Sequence, residues 1–337
     1  MSPSRFLLIQ LRQIGDVVLT TPIARILKEA FPGSHVAFLT ERPSDQLLRG
    51  NPFLDDVLLN DRKGSWRDTL GLGLRLRRER FDVVLDFIAN PRSALLAFLS
   101  GAPMRVAYPV PIRKVLYTHS VPPAPGYAVA YKKSLLEPLG VHSAWDRPEV
   151  FLDPDEKAWA AALRTELLGG RRRLVTLDPT HRRATRKWPA EHFGRLSGHL
   201  DARCEAACVV LWGPGEETDA DAVVRASSGT AVKAPATRLR EMAALIGAAD
   251  LHVGNCSAPR HVAVAVGTPT FTIRGATSGA WTHPAPEHTH LALGLECQPC
   301  NRNRCDRGLA CLTGLTADAV ADALCLWARD TLGWDLG

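Results

Sequence analysis

The sequence predicts an α/β protein of two domains, each a parallel sheet wrapped by helices. Three observations carry that prediction. Short apolar runs alternate with segments of helical period, the signature of βαβ units. The alternation starts twice, at residue 6 and again after the Asp153-Pro154 turn. The 337 residues, 46% hydrophobic and 23% charged, are roughly twice the ~150 of an ordinary domain. The same composition excludes a disordered chain, a collagen and a small disulfide scaffold, and no internal repeat of ~20–50 residues is present.

In the first half, Phe6-Leu7-Leu8-Ile9-Gln10-Leu11 reads as a buried strand and 12–16 as a turn around Gly15. A helix over 17–30 follows and is stopped by Pro32-Gly33. Further strands are expected at 35–40, 57–59, 82–87 and 106–108, with helices at 66–79 and 92–100. Five prolines within 109–126 suggest a surface loop. The second half reads as helices at 154–167, 190–200, 238–247 and 258–266, with strands at 174–177, 209–212, 251–253 and 270–273. The boundary falls near 145–170, giving domains 1–155 and 156–337 and leaving the last helix free to pack back on the first. Ligands of such domains sit beyond the carboxyl ends of the strands, here in a cleft between two facing domains.

Lys and Arg number 41 against 35 Asp and Glu, a net charge of +6 that suits an anionic partner. Basic loops without interleaved aromatics or a known module exclude nucleic acid as the expected partner. All eight cysteines lie beyond residue 200, which points to a reducing, cytoplasmic setting. The six-residue apolar run near the start is too short for a signal-peptide core, and no stretch approaches ~18 apolar residues. P-loop, dinucleotide, zinc-protease and nucleophile-elbow motifs are all missing, so dehydrogenase and hydrolase readings have no support.

Two segments invite chemistry. Asp178-Pro179-Thr180-His181-Arg182-Arg183-Ala184-Thr185-Arg186-Lys187-Trp188-Pro189 opens from a strand end and is rich in cations that could dock an anion. A solvated basic loop is the alternative. In Leu251-His252-Val253-Gly254-Asn255-Cys256-Ser257-Ala258-Pro259-Arg260-His261, a strand and tight loop lead into a helix beginning near Pro259. Its first amides are a natural pyrophosphate seat to which Ser257 could add a hydroxyl, or Ser257 could simply cap the helix.

Three segments in register resemble the ADP-heptose:lipopolysaccharide heptosyltransferases, glycosyltransferase family 9. They are Arg12-Gln13-Ile14-Gly15-Asp16-Val17-Val18-Leu19-Thr20-Thr21-Pro22, then Arg186-Lys187-Trp188-Pro189-Ala190-Glu191-His192-Phe193, then Val253–His261 with Gly267-Thr268-Pro269-Thr270. The resemblance implies the GT-B fold of two Rossmann-like domains, with acceptor on the first and nucleotide-sugar on the second. It also implies an inverting reaction without metal or other cofactor, from an ADP-sugar donor to the lipopolysaccharide core or lipid A acceptor. Asp16 then matches the base that deprotonates the acceptor hydroxyl, and a helix-capping Asp is the plainer alternative. Arg186 and Lys187 match groups that stabilise the departing diphosphate. Thr180, Arg182, Asn255, Cys256, Ser257, Ala258 and His261 fall in the implied donor phosphate site, with Gly213, Pro214 and Glu216 near ribose or adenine. Arg62, Lys63, Arg113, Lys114 and Lys132 are basic groups of first-domain loops suited to an acidic acceptor. The same basic face could hold the protein peripherally at the cytoplasmic face of an anionic inner membrane. The chain departs from the family where Cys256-Ser257-Ala258 stands for Asp-Ser-Gly, and where Thr180-His181-Arg182-Arg183 replaces a shorter phosphate loop. Both departures bear on the donor sugar.

Cys297-x2-Cys300-x4-Cys305-x5-Cys311 begins with zinc-ribbon spacing. Its later spacings are loose, so reduced or redox-variable thiols are expected, with structural zinc as the alternative. His283, His288 and His290 are expected to face solvent.

Overall fold

The computed structural model describes residues 3–336. It divides into two compact units, Met1–Phe151 and Leu152–Gly337.

Unit 1 opens with β1 (Arg5–Ile9), α1 (Ile14–Val18), α2 (Thr21–Ala30), β2 (His35–Thr40) and β3 (Asp56–Leu59). It continues through α3 (Trp66–Arg78), β4 (Val83–Asp86), α4 (Pro91–Leu99), β5 (Met104–Ala107), β6 (His119–Ser120) and α5 (Ala128–Lys133). All strands pair in parallel, in the order β3-β2-β1-β4-β5-β6. Helices cover both faces, so β1 is apolar on both: Phe6 and Leu8 join one core with Ile23, Leu27 and Phe38. Leu7 and Ile9 join the other with Leu39, Leu76 and Leu96.

The single helix expected over 17–30 is two. Pro22 lacks an N–H and its ring would meet the carbonyl four residues back, so a new helix starts at Thr21. The hydroxyl of Thr21 then donates to the Val18 carbonyl at 2.8 Å. Residues 109–126 are also more ordered than expected: a 3-10 turn spans Pro111–Leu116, and β6 completes the sheet edge.

Unit 2 holds α6 (Pro154–Leu168), β7 (Arg173–Asp178), α7 (Ala190–Cys204), β8 (Ala206–Val210), α8 (Glu217–Ala226) and β9 (Ala231–Lys233). Next come α9 (Leu239–Gly247), β10 (Leu251–Asn255), α10 (Ala258–Val266), β11 (Thr270–Ile273), β12 (His288–Leu291), α11 (Ala310–Thr313) and α12 (Ala317–Leu332). Its parallel sheet runs β12-β11-β10-β7-β8-β9, the same order as unit 1 when counted from its own first strand. The closing helix α12 buries Val320, Leu324 and Ala328 in this unit's core. In each unit the order reverses between the first and fourth strands, the point at which open α/β sheets bind ligands.

Candidate functional site

In unit 1 the loop after β1 carries Asp16, which is half-buried in the first turn of α1 and takes a long 3.5 Å contact from the Gln13 amide. Lys132 of α5 lies beneath, 4% exposed, its ammonium donating to Gln10 Oε1 at 3.0 Å and standing 5.5 Å from the Phe87 ring centre. Burial pulls this ammonium down to about 8, and the Asp16 carboxylate opposes the drop. Tyr108 and Tyr131, ring centres 4.3 Å apart, complete the surroundings. Burial and the Asp16 charge both hold these phenols protonated. Asp86, at the carboxyl end of β4, is fully buried but satisfied by the amides of Ile88 and Ala89 and by the Tyr117 hydroxyl at 2.8 Å.

Lys132 is therefore not the surface loop cation that the sequence suggested: it sits on a helix and is buried. Arg113 and Lys114 lie on the 3-10 turn, where Arg113 Nε donates to the Ala89 carbonyl at 3.0 Å. Arg62 and Lys63 are exposed, and the Arg92 guanidinium ties their loop to α4 through the carbonyls of Asp61, Arg62 and Gly64.

In unit 2 the ends of β7 and β10 meet. Gly254 is required there, because an added Cβ would stand 2.8 Å from Asp178 Cβ and 3.0 Å from its carbonyl oxygen. Asp178, missing from the sequence-derived site, is its hub. The Ser257 hydroxyl donates to Asp178 Oδ2, so Ser257 does not cap α10 with its side chain. The Thr180 hydroxyl lies 3.3 Å from Asp178 Oδ1 and 2.8 Å from Glu216 Oε2, which also accepts from the Gly213 amide at 3.1 Å. Burial pushes the Asp178 carboxyl up to about 7; the Ser257 hydroxyl opposes this and the Glu216 charge adds to it. Pro214 is exposed in the turn that carries Gly213.

The basic loop is pinned rather than loose. Trp188 is fully buried, its amide donating to Asn255 Oδ1 at 2.9 Å and its ring nitrogen to the Leu315 carbonyl at 2.8 Å. Lys187 is ion-paired with Asp219 at 2.6 Å, whereas Arg186 is half-buried and its Nε has no hydrogen-bond partner. Arg182 is exposed. His181 is held neutral, pulled to about 4 by burial and then by Arg186. Cys256 and His261 are buried, and Ala258 opens α10.

The structure thus brings Thr180, Gly213, Glu216, Asn255 and Ser257 together around Asp178 and Trp188. Among the described residues no three side chains of His, Cys, Asp or Glu gather in a way that could hold a metal ion, and Cys297, Cys300, Cys305 and Cys311 are free thiols. His283 and His288 are buried with ring centres 5.2 Å apart, not solvent-facing as expected. Asp178 ends a buried strand, which was a legible hint; its partner Ser257 lies 79 residues away, which was not.

Comparison with known proteins agrees. The model of glycosyltransferase family 9 (heptosyltransferase) matches residues 69–310. Lipopolysaccharide heptosyltransferase 3 of Escherichia coli strain K12 is 29% identical over 295 residues, covering 82% of this chain and 84% of that protein. A solved family 9 glycosyl transferase from Veillonella parvula aligns with TM-score 0.80 at 21% identity, covering 96% of this chain and 98% of that one. E. coli heptosyltransferase WaaC with ADP-2-deoxy-2-fluoro heptose aligns with TM-score 0.71 at 18% identity over 95% and 98% of the two chains.

Proposed function

This chain belongs to glycosyltransferase family 9 and has its GT-B fold, and from that premise we propose that it moves a heptose from ADP-heptose to the lipopolysaccharide inner core by an inverting, metal-independent reaction. The observation that carries this reading is the gathering of the family's segments at the switch points of two parallel sheets with one strand order. In the proposed reaction Asp16 takes the proton of the acceptor hydroxyl as it attacks the anomeric carbon. Unit 2 receives the departing diphosphate: Arg186 supplies charge, and the Ser257-Ala258 start of α10 supplies amides. Lys187, already paired with Asp219, contributes to the same field at one remove. Thr180 and Glu216, with Gly213 and Pro214, line the nucleoside side. Arg182, Asn255, Cys256 and His261 complete the donor surroundings.

Arg62, Lys63, Arg113 and Lys114 are the proposed contacts to acidic groups of the acceptor, with Lys132 acting beneath Asp16. Peripheral membrane contact is supported by α3. Trp66, Leu70 and Leu74, spaced one turn apart, are 62%, 47% and 56% exposed, beside Arg67, Arg75 and Arg78. Residues 61–80 hold seven basic and three acidic side chains, much of the whole-chain excess. An amphipathic helix of this kind suits an anionic lipid surface. Among the described residues no helix is long and apolar enough to cross a membrane.

The test is to mix the chain with ADP-heptose and a heptose-free Kdo–lipid A acceptor, following ADP release and acceptor mass. A heptose-sized gain supports the reading and identifies first-heptose addition. Transfer only to an acceptor already carrying heptose means a later step. ADP-sugar consumption from another donor alone, with silence on ADP-heptose, overturns the donor assignment.

A further inference from the structure

Three lysines or arginines are buried among the described residues: Lys132, Arg240 and Arg260, at 4%, 8% and 2% exposure. A buried cation is costly unless a counter-charge or loss of its proton relieves it. Lys132 can lose its proton, and it has Gln10 and the charge of Asp16. Arg240 has Glu156, which it grips with Nε on Oε1 and Nη2 on Oε2 at 2.5 Å. Arg260 has neither remedy. A guanidinium does not deprotonate in a protein. Its Nη2 lies 3.4 Å from His261 Nε2, while its Nε and Nη1 have no hydrogen-bond partner.

The neighbours deepen the deficit. Arg274, next after β11, is half-buried, and Arg260 bears on it as a like charge. Arg186, in the loop after β7, is pressed by burial and by Arg183. The acidic groups acting on Arg186 and Arg274 are thiols, Cys256 on both and Cys300 on Arg186. Nε of Arg186 and Nε of Arg274 also lack partners. The β7 and β11 loops that carry them are joined directly, the Ala276 amide donating to the Thr185 carbonyl at 3.0 Å. Arg186 and Arg274 thus share Cys256 as a neighbour, Arg260 bears on Arg274, and no carboxylate acts on either Arg186 or Arg274.

We infer that Arg260 and Arg274, together with Arg186, form an anion seat at the carboxyl ends of β7, β10 and β11, and that the seat takes a phosphoryl or carboxylate group carried by the donor. The inference rests on the donor reading of this end of unit 2. It adds Arg260 and Arg274 to the binding residues and makes an anionic donor group their counter-charge. That group is either the nucleotide diphosphate or an acidic substituent on the transferred sugar.

The test uses the full chain as wild type, Arg260→Met and Arg260→Lys, with thermal melting and calorimetric titration of inorganic phosphate, pyrophosphate, AMP and ADP. Pyrophosphate is expected to raise the wild-type melting temperature. Arg260→Met, freed of like-charge repulsion, should melt no lower than wild type without anion, and bind pyrophosphate roughly ten- to a hundredfold more weakly. Arg260→Lys keeps the charge, should fall between the two, and separates a folding loss from an anion loss. ADP affinity that falls in Arg260→Met while AMP affinity holds assigns the seat to the diphosphate. Unchanged ADP affinity, with phosphate binding to the ADP-saturated wild type but not to the variant, assigns it to an acidic group on the sugar. An Arg260→Met chain that melts lower yet binds pyrophosphate as tightly overturns the seat and leaves Arg260 a packing residue. A wild type indifferent to phosphate, pyrophosphate and ADP overturns it too. None of these readouts needs turnover, so failure here is distinct from failure of the transfer assay.

Discussion

Unit 1 and unit 2 share a strand order, yet each meets the problem of a buried base beside its switch point in its own way. In unit 1 the base is Lys132, bonded to Gln10 Oε1 and facing the charge of Asp16, and burial has already drawn it down to about 8. In unit 2 it is Arg260, whose charge is permanent and whose neighbour Arg274 is also a cation. A lysine that can change protonation beside a carboxylate suits the handling of protons at a hydroxyl. A set of arginines without carboxylates suits the holding of a permanent anion. On the proposed roles, one scaffold used twice serves the two halves of a group transfer.

The comparison can be broken most severely at Asp16. Asp16→Ala should cut turnover about 100- to 10,000-fold, the usual reach of a general base, with ADP affinity changed by less than about twofold. Equal loss of both, measured by kcat and by ADP titration, would remove Asp16 from the chemistry. Arg186→Met is next: loss of one group stabilising the departing charge should lower kcat about 100- to 1,000-fold, with partial recovery in Arg186→Lys.

The two units should also answer pH in opposite senses. The folded Lys132 titrates near 8 against 10.5 unfolded, so its buried charge is penalised fully below pH 8 and released as pH rises toward 10.5. Wild type should therefore gain stability relative to Lys132→Met over that window, with a slope of at most about 1.4 kcal/mol per pH unit. Asp178 titrates near 7 against 3.8 unfolded, so its penalty is absent below pH 3.8 and complete above 7. Wild type should lose stability relative to Asp178→Asn as pH rises through that range, read by urea unfolding in a pH series. The smallest effect is steric: Gly254→Ala, forced against Asp178, should cost about 1–3 kcal/mol of unit 2 stability in the same unfolding assay.

Much of this fold is legible in the sequence. Strands such as His35–Thr40 and Thr270–Ile273 are buried on both faces, so their apolar runs announce themselves. β9 and β12 escaped because one is three residues long and the other alternates histidine with Thr and Leu at a sheet edge. The candidate site residues legible in the sequence are those inside local motifs: Asp16, Arg186, Asn255 and Ser257. Gln10 and Asp178 act through partners 122 and 79 residues away, a distance no local pattern encodes. Arg260 left a fainter trace. With His261 it interrupts a helix that is otherwise Ala, Pro and Val, yet a lone Arg in a sequence does not say whether a carboxylate awaits it.

The division of labour between the units is tested most directly by measuring turnover and ADP affinity side by side for Asp16→Ala and Arg260→Met. Asp16→Ala is expected to lose turnover and keep ADP, while Arg260→Met loses affinity for the donor's anionic group and retains the pH profile of the wild-type reaction. Matching losses of turnover and ADP affinity in both variants would contradict it.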